Sequence, residues 1–153
     1  MGVTRQSVSN YLAYLEESFM LRKLYNYSKN ARKSARSLKK YYPAVASIDL
    51  VFREDSDAQS RIFEWALVNA IKPDFFWTDP QKHEVDIVLT SGKAPIPIEV
   101  KYGRIDTKGL ETFMRKFKAR TGYVLTPDRS AEQRSGITAV PAYSYLLDEQ
   151  PWG

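Results

Sequence analysis

The residues of this chain best suited to chemistry are two carboxylates and a lysine in neighbouring apolar segments. Asp86 interrupts the run EVDIVL, and Glu99 and Lys101 flank Val100 in the run IPIEVKY. Both runs have the alternating pattern of β-strands, in which Glu99 and Lys101 share one face. If the two strands pair antiparallel across the turn at residues 91–93, Asp86 lies near Glu99. Two facing carboxylates repel each other, and a divalent cation between them removes that repulsion.

Glu64 supplies a third candidate acid. It lies in the run RIFEWALVNAI, whose apolar residues keep helical spacing, and it joins the other two acids if this helix covers the sheet edge. Three carboxylates, a backbone carbonyl and water match the oxygen coordination that Mg²⁺ or Mn²⁺ prefers. The predicted metal ligands are therefore Glu64, Asp86, Glu99 and, through its carbonyl, Val100.

Lys101 completes the predicted catalytic set of Glu64, Asp86, Glu99 and Lys101. An ammonium group beside the metal would orient or deprotonate the attacking water, or stabilise the charge that develops on an oxyanion. This is the chemistry of metal-assisted phosphodiester hydrolysis. The alternative is structural: Glu99 and Lys101 form a surface ion pair, and Asp86 is a solvated acid.

The composition excludes several other kinds of site. The chain has no cysteine, which excludes disulfides, thiolate zinc sites and cysteine nucleophiles. Its single histidine, His83, excludes a multi-histidine metal site. The sequence also has no GxxxxGKS or GxxxxGKT phosphate-binding loop, so no nucleotide site is expected in this chain.

Size and hydropathy favour a globular protein without a membrane partner. The 153 residues, 43% of them apolar, are enough to fill a hydrophobic core. No uninterrupted apolar stretch approaches the roughly 18 residues that a membrane span needs. The first residues do not have the layout of a secretory signal, which predicts a cytoplasmic location.

Positive charge is concentrated in the first third of the chain. Residues 1–45 contain nine Lys and Arg against two acids, whereas the remaining residues contain fourteen against sixteen. This asymmetry favours a polyanionic partner, most simply DNA; general solubilisation of a small surface is the alternative. The predicted nucleic-acid contacts lie in the basic run 29–40 and on the preceding helix: Lys29, Arg32, Lys33, Arg36, Lys39, Lys40, Ser7 and Asn10.

The segments around the basic run predict a partial winged helix-turn-helix module in residues 1–53. A helix is expected over residues 4–24, a strand over residues 19–27, and a second extended run over residues 41–52. In such a module the helix would face a nucleic-acid groove, and the basic run would form the tip of the wing.

Residues 54–153 predict a separate α/β domain. Its elements are expected in the order α-β-β-β-α-β-β-α, which gives a mixed sheet flanked by helices. Val85, Ile87 and Leu89 are expected to share one face of their strand. The second helix, over residues 108–120, is expected to bury a stripe made of Leu110, Phe113, Met114 and Phe117.

The order of the candidate catalytic residues resembles that of the PD-(D/E)xK nuclease superfamily. That superfamily has a helix glutamate, a strand aspartate and an E-x-K triplet on the next strand. Glu64, Asp86, Glu99 and Lys101 match these positions, and Val85 stands where the motif has proline. The resemblance implies a restriction-endonuclease-like core in which the acids hold Mg²⁺ and the lysine helps to activate water.

A second resemblance covers nearly the whole chain. The runs SVSNYLAYLEESFMLRKL, FEWALVNAI, FFWTDPQKHEVDIVL, PIPIEVKY and GYVLTPD look like the C-terminal region of archaeal and bacterial AAA-type ATPases. In that family a winged helix and a nuclease-like domain of unknown function follow an ATPase domain, which is not part of this sequence. The resemblance implies an ATPase domain or an oligomer as a partner.

Two functions follow from these patterns. The first is a DNA-binding module with a nuclease fold that acts as a Mg²⁺-dependent phosphodiesterase. The alternative is a catalytically inert nuclease-fold domain for protein interaction or for regulation of an ATPase. In that case Trp152 or the apolar run Tyr143–Leu147 would make the contacts.

Overall fold

The computed structural model describes residues 2–45, 55–90, 94–128 and 133–147. In chain order the elements are α1 (Arg5–Glu17), β1 (Leu21–Asn26), α2 (Ala31–Arg36), β2 (Lys39–Pro43), α3 (Ser56–Ile71), β3 (Phe75–Thr78), β4 (Glu84–Leu89), β5 (Ile96–Val100), α4 (Lys108–Phe117), β6 (Gly122–Thr126), β7 (Gln133–Arg134), β8 (Ile137–Pro141) and α5 (Ala142–Leu146). The α/β class is confirmed. From α3 onward the order of the elements is the expected one, with the two-residue strand β7 added.

The eight strands of the described ranges form one mixed sheet, in the spatial order β2-β1-β3-β4-β5-β6-β8-β7. β3, β4 and β5 are antiparallel neighbours, whereas β5, β6 and β8 run parallel. The predicted antiparallel pairing of β4 with β5 is confirmed, with Ile87 opposite Ile98. The predicted turn that joins these two strands, at residues 91–93, lies outside the described residues.

Helices cover both faces of the sheet, and each face has its own apolar cluster. On one face, Leu67 of α3 packs in a cluster with Ile98 of β5. On the other face, Phe113 of α4 packs against Trp77 of β3, with ring centres 5.4 Å apart. The predicted stripe of α4 is confirmed, because Leu110, Phe113 and Phe117 are buried and Met114 is partly buried.

The N-terminal strands do not form a separate winged module. β1 and β2 pair antiparallel, as expected, but β1 also pairs in parallel with β3 and so extends the main sheet. Burial of an apolar side chain stabilises this arrangement, because Leu24 of β1 is fully buried in the cluster beneath α3. The winged-helix assignment is therefore not confirmed, and one sheet contains strands from both sides of the predicted boundary at residue 53.

The basic run is also more ordered than a wing tip. Asn30 accepts hydrogen bonds from the N–H groups of Arg32 and Lys33 and thereby caps α2, and β2 begins at Lys39. β2 ends at Pro43, whereas the expected extended run continued to residue 52. Residues 46–52 of that prediction lie outside the described part of the chain.

The first helix is shorter and more exposed than its sequence suggests. α1 begins after Thr4, whose side chain accepts a hydrogen bond from the N–H of Ser7, and it ends before Phe19, which has a φ of 58°. The left-handed backbone at Phe19 stops the helix and allows β1 to begin. No residue of α1 is buried. Like the other described helices, α1 is not long and apolar enough to cross a membrane.

β4 contains an irregularity that changes which of its side chains share a face. The β3–β4 register shifts between Val85, which lies opposite Trp77, and Val88, so that β4 has one extra residue there. Val85 and Val88 both pack on the α4 face, whereas Ile87 packs on the α3 face. The expected common face of Val85 and Ile87 is therefore wrong, because strict alternation does not hold across a bulge. Asp86 lies within this bulge.

A glycine sets the distance between α4 and β4. A Cβ atom at Gly109 would lie 2.0 Å from the carbonyl oxygen of Glu84. Because no side chain fits into that space, the first turn of α4 can pack directly on the backbone at the start of β4.

We expect Gly109→Ala to lower the free energy of unfolding by about 1–3 kcal/mol, because overpacking forces the helix and the strand apart. Gly103→Ala is the matched control, since no atom lies within 4 Å of a Cβ at that position. Urea denaturation of the two variants and the wild type measures the difference. Equal stability of the two variants would contradict the close approach of α4 to β4.

Candidate functional site

Where the backbone pairing of β4 and β5 ends, the side-chain carboxylate of Asp86 accepts the hydrogen bond that a backbone carbonyl would otherwise accept. Ile87 opposite Ile98 is the last pair of their ladder toward this end of the sheet. Beyond it, Asp86 accepts a hydrogen bond through Oδ2 from the backbone N–H of Val100, at 2.9 Å. Asp86 is only 7% exposed. The carboxylate thus lies between the two strands, close to the position from which Glu99 projects.

Glu99 is buried, and its carboxylate is only half satisfied. Lys101 Nζ lies 2.7 Å from Glu99 Oε1. Glu99 Oε2 has no hydrogen-bond partner among the residues that the structure describes, although Glu99 is only 7% exposed. A buried carboxylate oxygen without a partner is unfavourable unless the group takes up a proton or binds a cation.

A lysine of β2 lies on the other side of Asp86, between three acids. Lys40 Nζ is 3.6 Å from Asp86 Oδ1 and 3.5 Å from Glu64 Oε1, and it forms an ion pair with Glu84. Tyr42, two residues further along β2, donates a hydrogen bond to Glu64 Oε1 at 2.6 Å. These contacts connect β2, α3 and β4 at one end of the sheet.

The structure brings the predicted acids together and adds one. We call Glu64, Glu84, Asp86 and Glu99 the acidic cluster. Glu64 and Asp86 share Lys40 as a neighbour, while Asp86 and Glu99 repel each other across the gap between β4 and β5. The four residues predicted to be catalytic, including Lys101, therefore lie at one site.

Two residues of this site, Tyr42 and Glu84, were missed by the sequence analysis, and a third, Lys40, was predicted there as a nucleic-acid contact. Their spacing carried a signal, because Lys40 and Tyr42 are two residues apart on one strand, as are Glu84 and Asp86 on another. That spacing alone does not bring β2 to β4. The contact depends on the pairing of β1 with β3, which places the N-terminal strands in the same sheet.

Burial and mutual repulsion raise the pKa values of two acids. Burial, together with the charge of Asp86, raises the pKa of Glu99 to about 8, although Lys101 opposes the shift. Burial, together with the charge of Glu64, raises the pKa of Asp86 to about 6 against the opposing charge of Lys40. At neutral pH Glu99 therefore holds a proton, unless a cation takes its place.

Both lysines of the site stay charged. Burial lowers the pKa of Lys40, but attraction to Asp86 and Glu64 outweighs burial and raises that pKa above its ordinary value. Burial likewise opposes the charge of Lys101, and the hydrogen bond to Glu99 raises its pKa above the ordinary value. At neutral pH Lys101 is thus a hydrogen-bond donor with a positive charge, and it is not a free base.

The donors of the site suit a hard divalent cation, with one competitor. Carboxylate oxygens are the ligands that Mg²⁺ prefers, and Glu99 Oε2 is a buried acceptor without a partner. Within the described ranges, no group of three Asp, Glu or His side chains is arranged to hold a metal ion. Lys40 supplies the positive charge beside Glu64 and Asp86. A cation bound to Asp86 Oδ1 would therefore compete with Lys40. The ligand role of the Val100 carbonyl stays a prediction.

The predicted nucleic-acid contacts of the basic run lie in different surroundings. Lys39 Nζ donates to two backbone carbonyls at the end of α2, and Lys40 points into the acidic cluster and not toward solvent. The remaining four are exposed: Lys29, Arg32, Lys33 and Arg36. Only these four present free cationic groups on the α2 surface.

The two predicted contacts on α1 have local partners. Ser7 Oγ lies 2.9 Å from Thr4 Oγ1, and Asn10 Oδ1 accepts a hydrogen bond from Gln6 Nε2 at 2.9 Å. These interactions stabilise the first turns of α1. The part that Ser7 and Asn10 play in nucleic-acid binding stays a prediction.

Comparison with known proteins points to one family. The model of DUF4143, a domain of unknown function, matches residues 62–145, which is more than half of the chain. The matched part contains Glu64, Asp86, Glu99 and Lys101 but not Lys40. No curated protein and no solved structure matches the chain. The match agrees with the expected domain of unknown function and carries no information about an ATPase or a nuclease.

The raised pKa of Glu99 predicts a pH-dependent stability. The folded protein binds this proton more tightly than the unfolded chain, so stability falls as the pH rises from about 4.5 through about 8. Glu99→Gln cannot titrate, and we expect its melting temperature to fall less over this range. Thermal unfolding between pH 5 and pH 9 measures the difference. Glu111→Gln, which removes an exposed acid of α4, is the control. A Glu99→Gln profile parallel to that of the wild type would contradict the assignment.

Lys40 should contribute strongly to stability, because its removal leaves three carboxylates without their cation. We expect Lys40→Met to lower the free energy of unfolding by about 3 kcal/mol at pH 7 without divalent cations. Lys23→Met, which breaks a single ion pair with the partly exposed Glu16, should lower it by less, because only one carboxylate loses its partner. Urea denaturation in EDTA measures both values. A loss for Lys40→Met no larger than that for Lys23→Met would show that Lys40 does not hold the acids together.

Proposed function

The chain belongs to the DUF4143 family, a family of domains of unknown function, and on that premise we propose that it is a DNA-binding domain of nuclease type that hydrolyses phosphodiester bonds with Mg²⁺. One observation carries this proposal: Asp86, Glu99 and Lys101 lie together, and Glu99 Oε2 is a buried oxygen without a partner. A buried acid pair that holds a proton at neutral pH is a place where a divalent cation is favourable.

Asp86 and Glu99 are the acids best placed to hold the metal. Glu64 would become a third ligand only after Lys40 and the side chains around it rearranged, because no three acids of the described residues are arranged to hold a metal ion. When bound, Mg²⁺ would neutralise a non-bridging phosphate oxygen and lower the pKa of a coordinated water. Asp86 also fixes the separation of β4 and β5 through the N–H of Val100, so its carboxylate is rigid before any ligand arrives.

Lys101 would act as a charged hydrogen-bond donor in this reaction. Its ammonium group is anchored on Glu99 Oε1, and its pKa is raised, so that it remains protonated at neutral pH. A fixed cation at this place orients the attacking water or stabilises the charge that builds up on the phosphate oxygens. General-base catalysis by Lys101 is less favoured, because a protonated amine cannot accept a proton.

A second function is favoured by one specific observation, the position of Lys40. Its ammonium lies between Glu64, Glu84 and Asp86, where it supplies the positive charge that a metal would otherwise bring. On this alternative the domain is a catalytically inert member of a nuclease fold, and it serves in protein interaction or in the regulation of an ATPase. The two functions differ in whether a divalent cation can displace Lys40.

Metal binding separates the two functions. In a calorimetric titration with Mn²⁺, we expect Asp86→Asn to weaken binding by about tenfold or more, because it removes a ligand charge. Asp74→Asn removes an exposed acid at the opposite end of the sheet and should bind Mn²⁺ like the wild type. Lys40→Met should bind Mn²⁺ more tightly than the wild type, because the competing ammonium is gone. Equal binding by the wild type and Asp86→Asn would exclude the metal site.

Cleavage assays complete the test. Single-stranded, duplex and branched DNA are incubated with wild type, Asp86→Asn and Lys101→Met in the presence of Mg²⁺ or Mn²⁺. Turnover by the wild type that both variants lose would support the phosphodiesterase. Metal binding without cleavage of any substrate would favour the inert alternative.

A further inference from the structure

A second concave surface lies one strand away from the acidic cluster. It is a cavity of about 560 Å³ bounded by the ends of β1 and β3, by α2 and by the last turn of α4. Three lysines from different segments line it: Lys29 before α2, Lys33 on α2 and Lys116 on α4. We call this cavity, with its three lysines, the basic groove.

The lysines of the basic groove carry positive charge that no neighbouring acid neutralises. None of them takes part in the ion pairs formed within the described ranges. One acid, Asp79, lines the groove, and its carboxylate has hydrogen-bond partners other than the lysines. It accepts hydrogen bonds from the N–H groups of Gln81 and His83 and lies 2.9 Å from His83 Nδ1. An anion from outside the protein is therefore attracted to the groove.

The floor of the groove is aromatic. Tyr27, Trp77 and Phe117 line it, and Lys116 Nζ lies 5.1 Å from the centre of the Trp77 ring and 5.7 Å from that of Phe117. This cation–π contact holds the ammonium group over the floor. Trp77 and Phe117 are buried, at 2% and 9% exposed, so they position Lys116 and do not stack on bases. The groove offers a single-stranded nucleic acid positive charge along its backbone.

The groove and the acidic cluster share one end of the sheet. Thr78 lines the groove, and it lies directly opposite Glu84 of the acidic cluster in the β3–β4 pairing. Asn26 exchanges two hydrogen bonds with Thr78, at 3.0 and 3.1 Å, which fix the end of β1 beside it. Neighbouring strands are about 4.8 Å apart. The groove lies on the α4 face and Glu64 comes from α3 on the other face, so a chain reaches the acidic cluster from the groove around the ends of β3 and β4, where Glu84 lies.

We propose that the basic groove binds the sugar–phosphate backbone of a single-stranded nucleic acid and leads it to the acidic cluster. This inference rests on the proposed function, because it names the substrate class of that same site. A cavity of about 560 Å³ lies within the roughly 300–1,000 Å³ of ordinary ligand pockets. We expect a groove of this size to take a short stretch of a single strand and to exclude a paired duplex.

Fluorescence anisotropy with a labelled oligothymidylate tests the proposal. The measurements are made in EDTA over a series of salt concentrations, so that neither metal binding nor cleavage contributes. We expect Lys33→Gln/Lys116→Gln to weaken binding by about tenfold at low salt and to reduce the slope of log K against log salt by about 1.4. Lys72→Gln/Arg120→Gln removes two exposed charges at the opposite end of the sheet and should change both values little. Thermal unfolding checks that both double variants are folded.

Each outcome bears on the proposal. Equal weakening by both double variants, or no weakening by either, would overturn the groove as the binding site. A duplex of the same length that binds as tightly through Lys33 and Lys116 would overturn the preference for single strands. Displacement of the oligonucleotide by inorganic phosphate at equal phosphate concentration would mean a site for free phosphate and no polymer. Because the assay excludes metal, its failure is distinct from a failure of Mn²⁺ binding at the acidic cluster.

Discussion

The hydrogen bond from the Val100 N–H to the Asp86 carboxylate is the interaction on which the site depends. It occurs where β4 and β5 stop pairing, and it supplies an acceptor to a buried N–H that would otherwise have none. The same side chain faces Lys40 on one side and repels Glu99 on the other. Asp86 therefore both holds β5 beside β4 and contributes charge to the site. Its hydrogen bond and its contact with Lys40 explain why the carboxylate tolerates such deep burial.

The acidic cluster has more negative charge than its lysines balance. Lys40 and Lys101 face four carboxylates, and each lysine is held by contacts to the acids beside it. Burial and mutual repulsion raise the pKa values of Asp86 and Glu99, so that a proton offsets part of the charge that the two lysines do not balance. Protonation, the Lys40 ammonium group and a divalent cation are three ways of neutralising the excess negative charge of the acidic cluster.

Local patterns were enough to predict much of the second part of the chain. The stripe of α4, the Asp86 strand and the Glu99–Lys101 strand follow from periodicity. The antiparallel pairing of the two strands follows from the few residues that separate them in the sequence. Lys40 was not predictable in this way, because it sits in a run of solvated lysines and reaches the acids only through the β1–β3 pairing, a contact between distant parts of the sequence. The bulge at Asp86 was not predicted either, because an alternating sequence pattern does not show where a strand contains an extra residue.

The pairing between β1 and β3 is short, and this affects how Lys40 and Lys33 could move together. Two backbone partner pairs, Tyr25 with Phe75 and Asn26 with Phe76, attach β1 to the rest of the sheet. Lys40 and Lys33 both belong to the β1–α2–β2 unit beyond this join, one facing the acids and one facing the groove. A displacement of that unit which withdraws Lys40 also moves Lys33. Binding that required such a displacement at one place would change the affinity at the other, by the same factor in both directions.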